Sequence, residues 1–109
     1  MTMDWLTLPD VAEQLRVPVT KVRQMVNERM VLARRQDGVL RIPAEFIQGG
    51  AVVKGLPGLL TVLADAGFTD DEAMDWIFRE DPSLPGTPMR ALAENRGREV
   101  KRRAQAAAY

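Results

Sequence analysis

The dipeptide Asp37-Gly38 sits between two short apolar runs, VLARRQ and VLRIP, and constrains the fold more than any other pair in the chain. A two-residue turn between such runs needs positive φ at both central positions, which Asp followed by Gly supplies at low steric cost. The spacing therefore predicts a β-hairpin with strands over residues 31–35 and 39–42. Pro43 ends the second strand, and residues 44–47 form one short helical turn. Arg34, Arg35 and Arg41 make the hairpin basic. Taken alone, these arginines read either as charges that keep an exposed edge from pairing or as a finger that meets an anion.

The residues before the hairpin bear on that choice. Thr7-Leu8-Pro9-Asp10 reads as a helix start, with Thr7 as N-cap, Pro9 in the first turn and Asp10 facing free amides. Val11, Ala12 and Leu15 form the buried stripe of this helix, and Arg16-Val17-Pro18 breaks it. A second helix is predicted over about residues 19–29. Val22, Met25, Val26 and Arg29 fall on one side of it, apolar except at its end. Thr20, Gln24 and Asn27 fall on the other, flanked by Lys21 and Arg23. Core packing gives that outer face no reason to be so rich in hydrogen-bonding groups.

A short helix, a tight break, a polar-faced helix and a basic hairpin together describe a winged helix-turn-helix. Its second helix offers donors and acceptors suited to base edges and phosphates in the major groove of double-stranded DNA. The first helix would brace it across the backbone. The candidate DNA-binding residues are Thr20, Lys21, Arg23, Gln24 and Asn27 on the helix, with Arg34, Arg35 and Arg41 on the wing. A guanidinium fork suits phosphate bidentately, in keeping with a wing rich in Arg rather than Lys. Arg34 and Arg35 alternate in facing, so the sequence leaves open which of them points at DNA.

Gln48-Gly49-Gly50 is the candidate boundary, dividing the chain into a winged helix-turn-helix over 1–48 and a helical region over 49–109. Leu56-Pro57-Gly58 opens a helix with Leu59, Leu60, Val62, Leu63 and Ala66 largely inward, ending at Gly67. Thr69-Asp70-Asp71-Glu72 is a capping box that starts the next helix, carrying Met74, Trp76, Ile77 and Phe78 before Asp81-Pro82 stops it. Thr87-Pro88 begins a short helix through Leu92, and a last one is predicted from Arg98 to about Ala107. The fold class is mainly α with a small β-hairpin. The helical region either packs on the first unit or mediates contacts with a protein partner or a second copy.

Composition narrows the chemistry. The 109 residues include no Cys and no His, which excludes thiolate or imidazole metal sites, Cys nucleophiles and His general bases. No enzyme activity, cofactor or metal is expected. The acidic group Asp70, Asp71, Glu72 and Asp75 lies where carboxylates stabilise a helix macrodipole without any metal. No apolar run approaches the roughly 18 residues of a membrane span, and no basic-then-apolar leader pattern opens the chain. A soluble, cytoplasmic protein is expected.

The formal net charge of zero conceals segregation. Residues 16–41 carry seven basic side chains against Glu28 and Asp37, residues 65–81 carry seven acids against Arg79, and residues 96–103 carry five basic side chains against Glu99. A local patch rather than net charge sets a binding footprint, although solvated helix faces also produce such blocks. Lys101-Arg102-Arg103 reads either as a phosphate contact or as cations favoured near a helix C-terminus.

The stretch LTLPDVAEQLRVPVTKVRQMVNERMVLARRQDGVLRIP resembles the N-terminal unit of MerR-type and excisionase-type winged helix-turn-helix proteins. Those proteins share a Leu-x-x-Ala-x-x-Leu first helix, a Val-Arg step in the recognition helix and a wing ending in Arg-Ile-Pro. The Val-Arg step matches Val22-Arg23, so the resemblance implies a role for Arg23 at DNA. Here Arg16 stands where that pattern has Gly, Pro18 where it has a Ser or Thr cap, and Arg29-Met30 where it has Gly-Leu. Over nearly its full length the chain also resembles a small family of actinobacterial winged helix-turn-helix DNA-binding proteins, whose helical C-terminal region contains VVKGLPGLLTVL and ends REVKRRAQAAAY. That resemblance implies a DNA-binding transcriptional regulator. WIFREDPSLPGTPMRALAENRGREV is in turn similar to the end of the toxin-binding domain of Xre/ParS-type antitoxins, which implies a partner or dimer surface and, as the rival function, an antitoxin-like or adaptor module. The same residues, Trp76, Ile77, Phe78, Leu84 and Leu92, also read simply as the closing layer of a small core.

Overall fold

In a computed structural model, which describes residues 3–84 and 86–107, the chain divides into two compact units, 1–53 and 54–109. Pro85 and the closing Ala108-Tyr109 of the motifs quoted above lie outside the described residues.

The first unit begins with a strand, β1 (Trp5–Thr7), that leads straight into α1 (Leu8–Leu15). Thr7 caps α1, its hydroxyl accepting from the Asp10 amide while the Asp10 carboxylate accepts from the Thr7 amide, both at 3.3 Å. Val11 and Ala12 are buried and Leu15 half-buried, as the stripe requires. Arg16 then takes a left-handed conformation, φ 58°, and stops the helix. In this geometry Gly usually stands, because a Cβ crowds the backbone there.

The second helix, α2 (Val19–Asn27), starts at Pro18 with no side-chain cap. Its end falls two residues before the predicted Arg29. Glu28 is the C-cap and Arg29 turns left-handed at φ 57°, so Arg29 leaves the helix and is exposed instead of closing the inward side. Val22 and Met25 are buried beneath it.

The wing is shorter than predicted. Val31 and Leu32 are buried but unpaired, and the first strand is β2 (Arg34–Gln36) rather than residues 31–35. Two large apolar side chains in succession both go into the core here, which the alternation of a paired strand does not allow. The turn is as predicted: Asp37 and Gly38 both have positive φ, 51° and 79°. β3 (Val39–Pro43) returns through the centre of a three-stranded antiparallel sheet of order β1-β3-β2. A single 3-10 turn at Ala44–Phe46 follows, with Phe46 fully buried. Gln48-Gly49-Gly50, read as a boundary, is occupied by a second small hairpin of β4 (Ile47–Gln48) and β5 (Ala51–Val52), with Gly49 and Gly50 at positive φ in its turn.

The second unit is helical: α3 (Leu56–Asp65), α4 (Asp70–Ile77), α5 (Pro88–Ala93) and α6 (Gly97–Ala106). Thr69 and Glu72 form the predicted capping box, and Thr87 caps α5. Leu56, Leu59, Leu63, Ile77, Ala91, Val100 and Ala104 have no exposed surface, and Leu84 and Leu92 are buried with them. Trp76 and Phe78 are half-buried at the margin of this core.

Arg103 fastens the loop after α4 to α6. Its Nε donates to the Ser83 hydroxyl at 3.0 Å, and its Nη1 meets the Glu99 carboxylate at 3.1 Å. The Ser83 hydroxyl in turn donates to Asp81 at 2.7 Å. The hydrogen bonds from Ser83, side chain first and amide second, hold the Asp81 carboxyl below the ordinary aspartate range, with the Arg103 charge adding to them against partial burial.

Candidate nucleic-acid interface

All five sequence-predicted residues of α2 are exposed: Thr20, Lys21, Arg23, Gln24 and Asn27. Thr20, Gln24 and Asn27 recur at i, i+4 and i+7 and so share one stripe, opposite the buried Val22 and Met25. The Gln24 amide donates to the Glu28 carboxylate at 3.0 Å, which fixes its rotamer along the helix.

The three wing arginines do not share one face of the hairpin. Across the hairpin Arg34 pairs with Arg41, Arg35 with Leu40 and Gln36 with Val39. On the other side of β3, Thr7 pairs with Arg41 and Leu6 with Ile42. Because side chains alternate along a strand, Arg34, Arg41 and Thr7 share one face, while Arg35, Leu40, Ile42 and Leu6 share the other. Ile42 is fully buried and marks the second face as the one turned to the core.

Arg35 therefore extends from the core face at the hairpin's tip. It is exposed, and its Nη1 donates to the Gly38 carbonyl at 3.0 Å, tying the side chain to the turn. Together with Arg23 it lines a cleft of about 260 Å³, completed by Thr7, Leu8, Pro9, Gly38, Val39 and Leu40. A helix, a hairpin and the start of α1 thus bring Arg23 and Arg35 to one open cleft. Arg34 and Arg41 are half-buried on the opposite face, and the Arg41 Nε is buried without a hydrogen-bond partner.

Two features of this cleft escaped the sequence reading. The start of α1 forms one of its walls, which depends on where β1 delivers the chain. Val39 is the one large apolar side chain strongly exposed among the described residues, at 42%. Its place just after the Asp37-Gly38 turn was the only signal for it.

Comparison with known proteins follows the same division. A family profile described as the DNA-binding protein Rv2175c winged helix-turn-helix domain matches residues 1–47. A second, described as the Rv2175c C-terminal domain of unknown function, matches residues 53–108. The DNA-binding protein Rv2175c of Mycobacterium tuberculosis (strain ATCC 25618 / H37Rv) is 48% identical, over 94% of this chain and 79% of its own length.

This chain belongs to the Rv2175c family.

The NMR structure of Rv2175c superposes on it with a TM-score of 0.89 at 45% identity, covering 98% of this chain and 82% of the other. The winged helix-turn-helix architecture with a helical C-terminal region is accordingly the fold of this Rv2175c-family member. Among the described residues no helix is long and apolar enough to cross a membrane, and no group of three or more Asp or Glu side chains is placed to hold a metal.

Proposed function

We propose that this Rv2175c-family chain binds double-stranded DNA and regulates transcription in the cytoplasm. The observation that carries this reading is the cleft shared by Arg23 and Arg35. It joins the exposed polar stripe of α2 to the wing, so the helix and the hairpin can engage one duplex together. The name of the Mycobacterium tuberculosis relative points the same way.

Thr20, Gln24 and Asn27 face base edges in the major groove, with Lys21 on the flanking phosphates. Arg23 and Arg35 hold the backbone where helix and wing converge. Arg34 and Arg41 serve mainly the sheet and the outer side of the wing. The first unit, residues 1–53, carries DNA, and the helical second unit, residues 54–109, carries contacts with a second copy or a protein partner. A monomer offers few base contacts, and paired half-sites would supply the missing specificity.

Fluorescence anisotropy of a labelled duplex across a salt series tests the reading. Affinity is expected to fall steeply with salt, and Arg23→Glu should abolish most of the binding. Weak binding that is flat with salt and indifferent to Arg23→Glu would remove DNA from the account.

A further inference from the structure

The basic run near the C-terminus separates into two classes once it is folded. Arg103 points inward, its guanidinium occupied by Ser83, Glu99 and, at 3.9 Å, Asp81. Lys101 is also half-buried and lies over α3, its Nζ 2.8 Å from where a Cβ on Gly58 would stand. Arg98 and Arg102 are different. Both are exposed, and among the described residues neither side chain makes a hydrogen bond or an ion pair.

Arg98 and Arg102 stand one turn apart, about 6 Å along the axis of α6. They line an open groove with Glu99, Arg103 and Ala106. Glu99 would ordinarily neutralise them, but its carboxylate is engaged by Arg103. The exposed side of α6 thus presents two uncompensated guanidinium groups on a helix whose opposite side, Val100 and Ala104, is fully buried. That burial fixes the helix and leaves it no apolar face to insert into a lipid surface. Among the described residues the groove offers no aromatic or large aliphatic side chain, the anchors that a protein interface is built around. Two guanidinium forks carried one helical turn apart, with only the small Ala106 as an apolar neighbour in the groove, suit a row of phosphates.

We propose that Arg98 and Arg102 form a second, sequence-independent contact with the nucleic-acid backbone, made by the unit whose family description is a domain of unknown function. The proposal rests on the DNA reading for its ligand. It adds a contact that the winged helix-turn-helix does not supply.

The test uses the full chain and labelled duplexes of defined and of random sequence, with affinity measured over a salt series. Each neutralised phosphate contributes about 0.9 to the slope of log affinity against log salt. The paired change Arg98→Ala, Arg102→Ala is expected to lower that slope by about 1.8 and to weaken both duplexes by a similar factor. The paired change Arg98→Lys, Arg102→Lys should restore most of the slope, because it keeps the charge. Both side chains are exposed, so the melting temperature should not move. An unchanged slope in the alanine variant, beside a steep wild-type slope, overturns this contact and leaves the DNA reading standing. So does a variant that loses binding to polyglutamate while its duplex slope stays whole, because that result assigns the patch to an acidic protein. A flat wild-type slope overturns both.

Discussion

Arg34 stands directly opposite Arg41 across β2 and β3, while Arg35, next to Arg34 in sequence, stands opposite Leu40 on the other face. Like charges in register repel, and the buried Nε of Arg41 has no partner to offset that cost. Arg35 is instead tied to the turn, its Nη1 donating to the Gly38 carbonyl, and it lines one cleft with Arg23. The alternation that leaves Arg34 and Arg35 open in the sequence resolves into two faces of one hairpin.

That division predicts unequal effects on DNA binding. Arg35→Ala should lower the salt slope of duplex affinity by about one unit, as expected for one lost phosphate contact. Arg34→Ala should leave the slope nearly unchanged. Equal slopes in the two variants would contradict the opposite facing of Arg34 and Arg35.

The turn that orients Arg35 is itself acidic. Asp37 adopts φ 51° and Gly38 φ 79°, and Asn is as well suited as Asp to the first of these positions. Asp37→Asn should therefore keep the hairpin while removing a negative charge from the wing tip. The expected result is tighter duplex binding at low salt, with the gain shrinking as salt screens it. Gly38→Val should instead disrupt the turn and weaken binding at every salt concentration, because a β-branched residue is strained at φ 79°.

What the sequence made legible was local chemistry. The Asp37-Gly38 turn, the Thr7 N-cap, the Thr69 capping box and the exposed stripe of Thr20, Gln24 and Asn27 each follow from residues a few positions apart. β1 was not legible, because Trp5-Leu6-Thr7 becomes a strand only by pairing with Arg41, Ile42 and Pro43 far along the chain. Gly49-Gly50 looked like a boundary because a turn in a two-residue hairpin and a linker draw on the same residues. The early end of α2 was hidden for another reason: Arg29 has no residue-type preference for the left-handed conformation that stops the helix. The shared cleft of Arg23 and Arg35 was out of reach for the same reason as β1, since it depends on which face of the hairpin turns toward the helices.

Arg16 predicts a change in stability. Its left-handed φ of 58° strains an ordinary side chain, and Gly removes that strain while adding freedom to the unfolded chain. The net effect of Arg16→Gly should be a gain of about 0.5–1 kcal/mol, read as a higher urea midpoint with an unchanged m-value. A lower midpoint would show that Arg16 makes a compensating contribution through its side chain.

Ser83 predicts a pH dependence in the second unit. Its hydroxyl and its amide both donate to Asp81, and these bonds are the main cause of the lowered Asp81 pKa. A carboxyl held below its unfolded value binds its proton less readily when folded. Its contribution to stability is therefore complete above the unfolded pKa and is lost as pH falls through the folded one. Ser83→Ala removes the hydroxyl that links Asp81 to Arg103, and so should raise the Asp81 titration midpoint toward the ordinary aspartate range. Carbon-detected NMR titration of the Asp81 carboxyl reads that shift directly. Melting temperatures should show the variant less stable than wild type at neutral pH, with the difference narrowing below about pH 4 as the wild-type carboxyl also takes up its proton. A difference that stayed constant down to the lowest pH, with an unmoved Asp81 midpoint, would mean that Ser83 stabilises the loop through Arg103 alone.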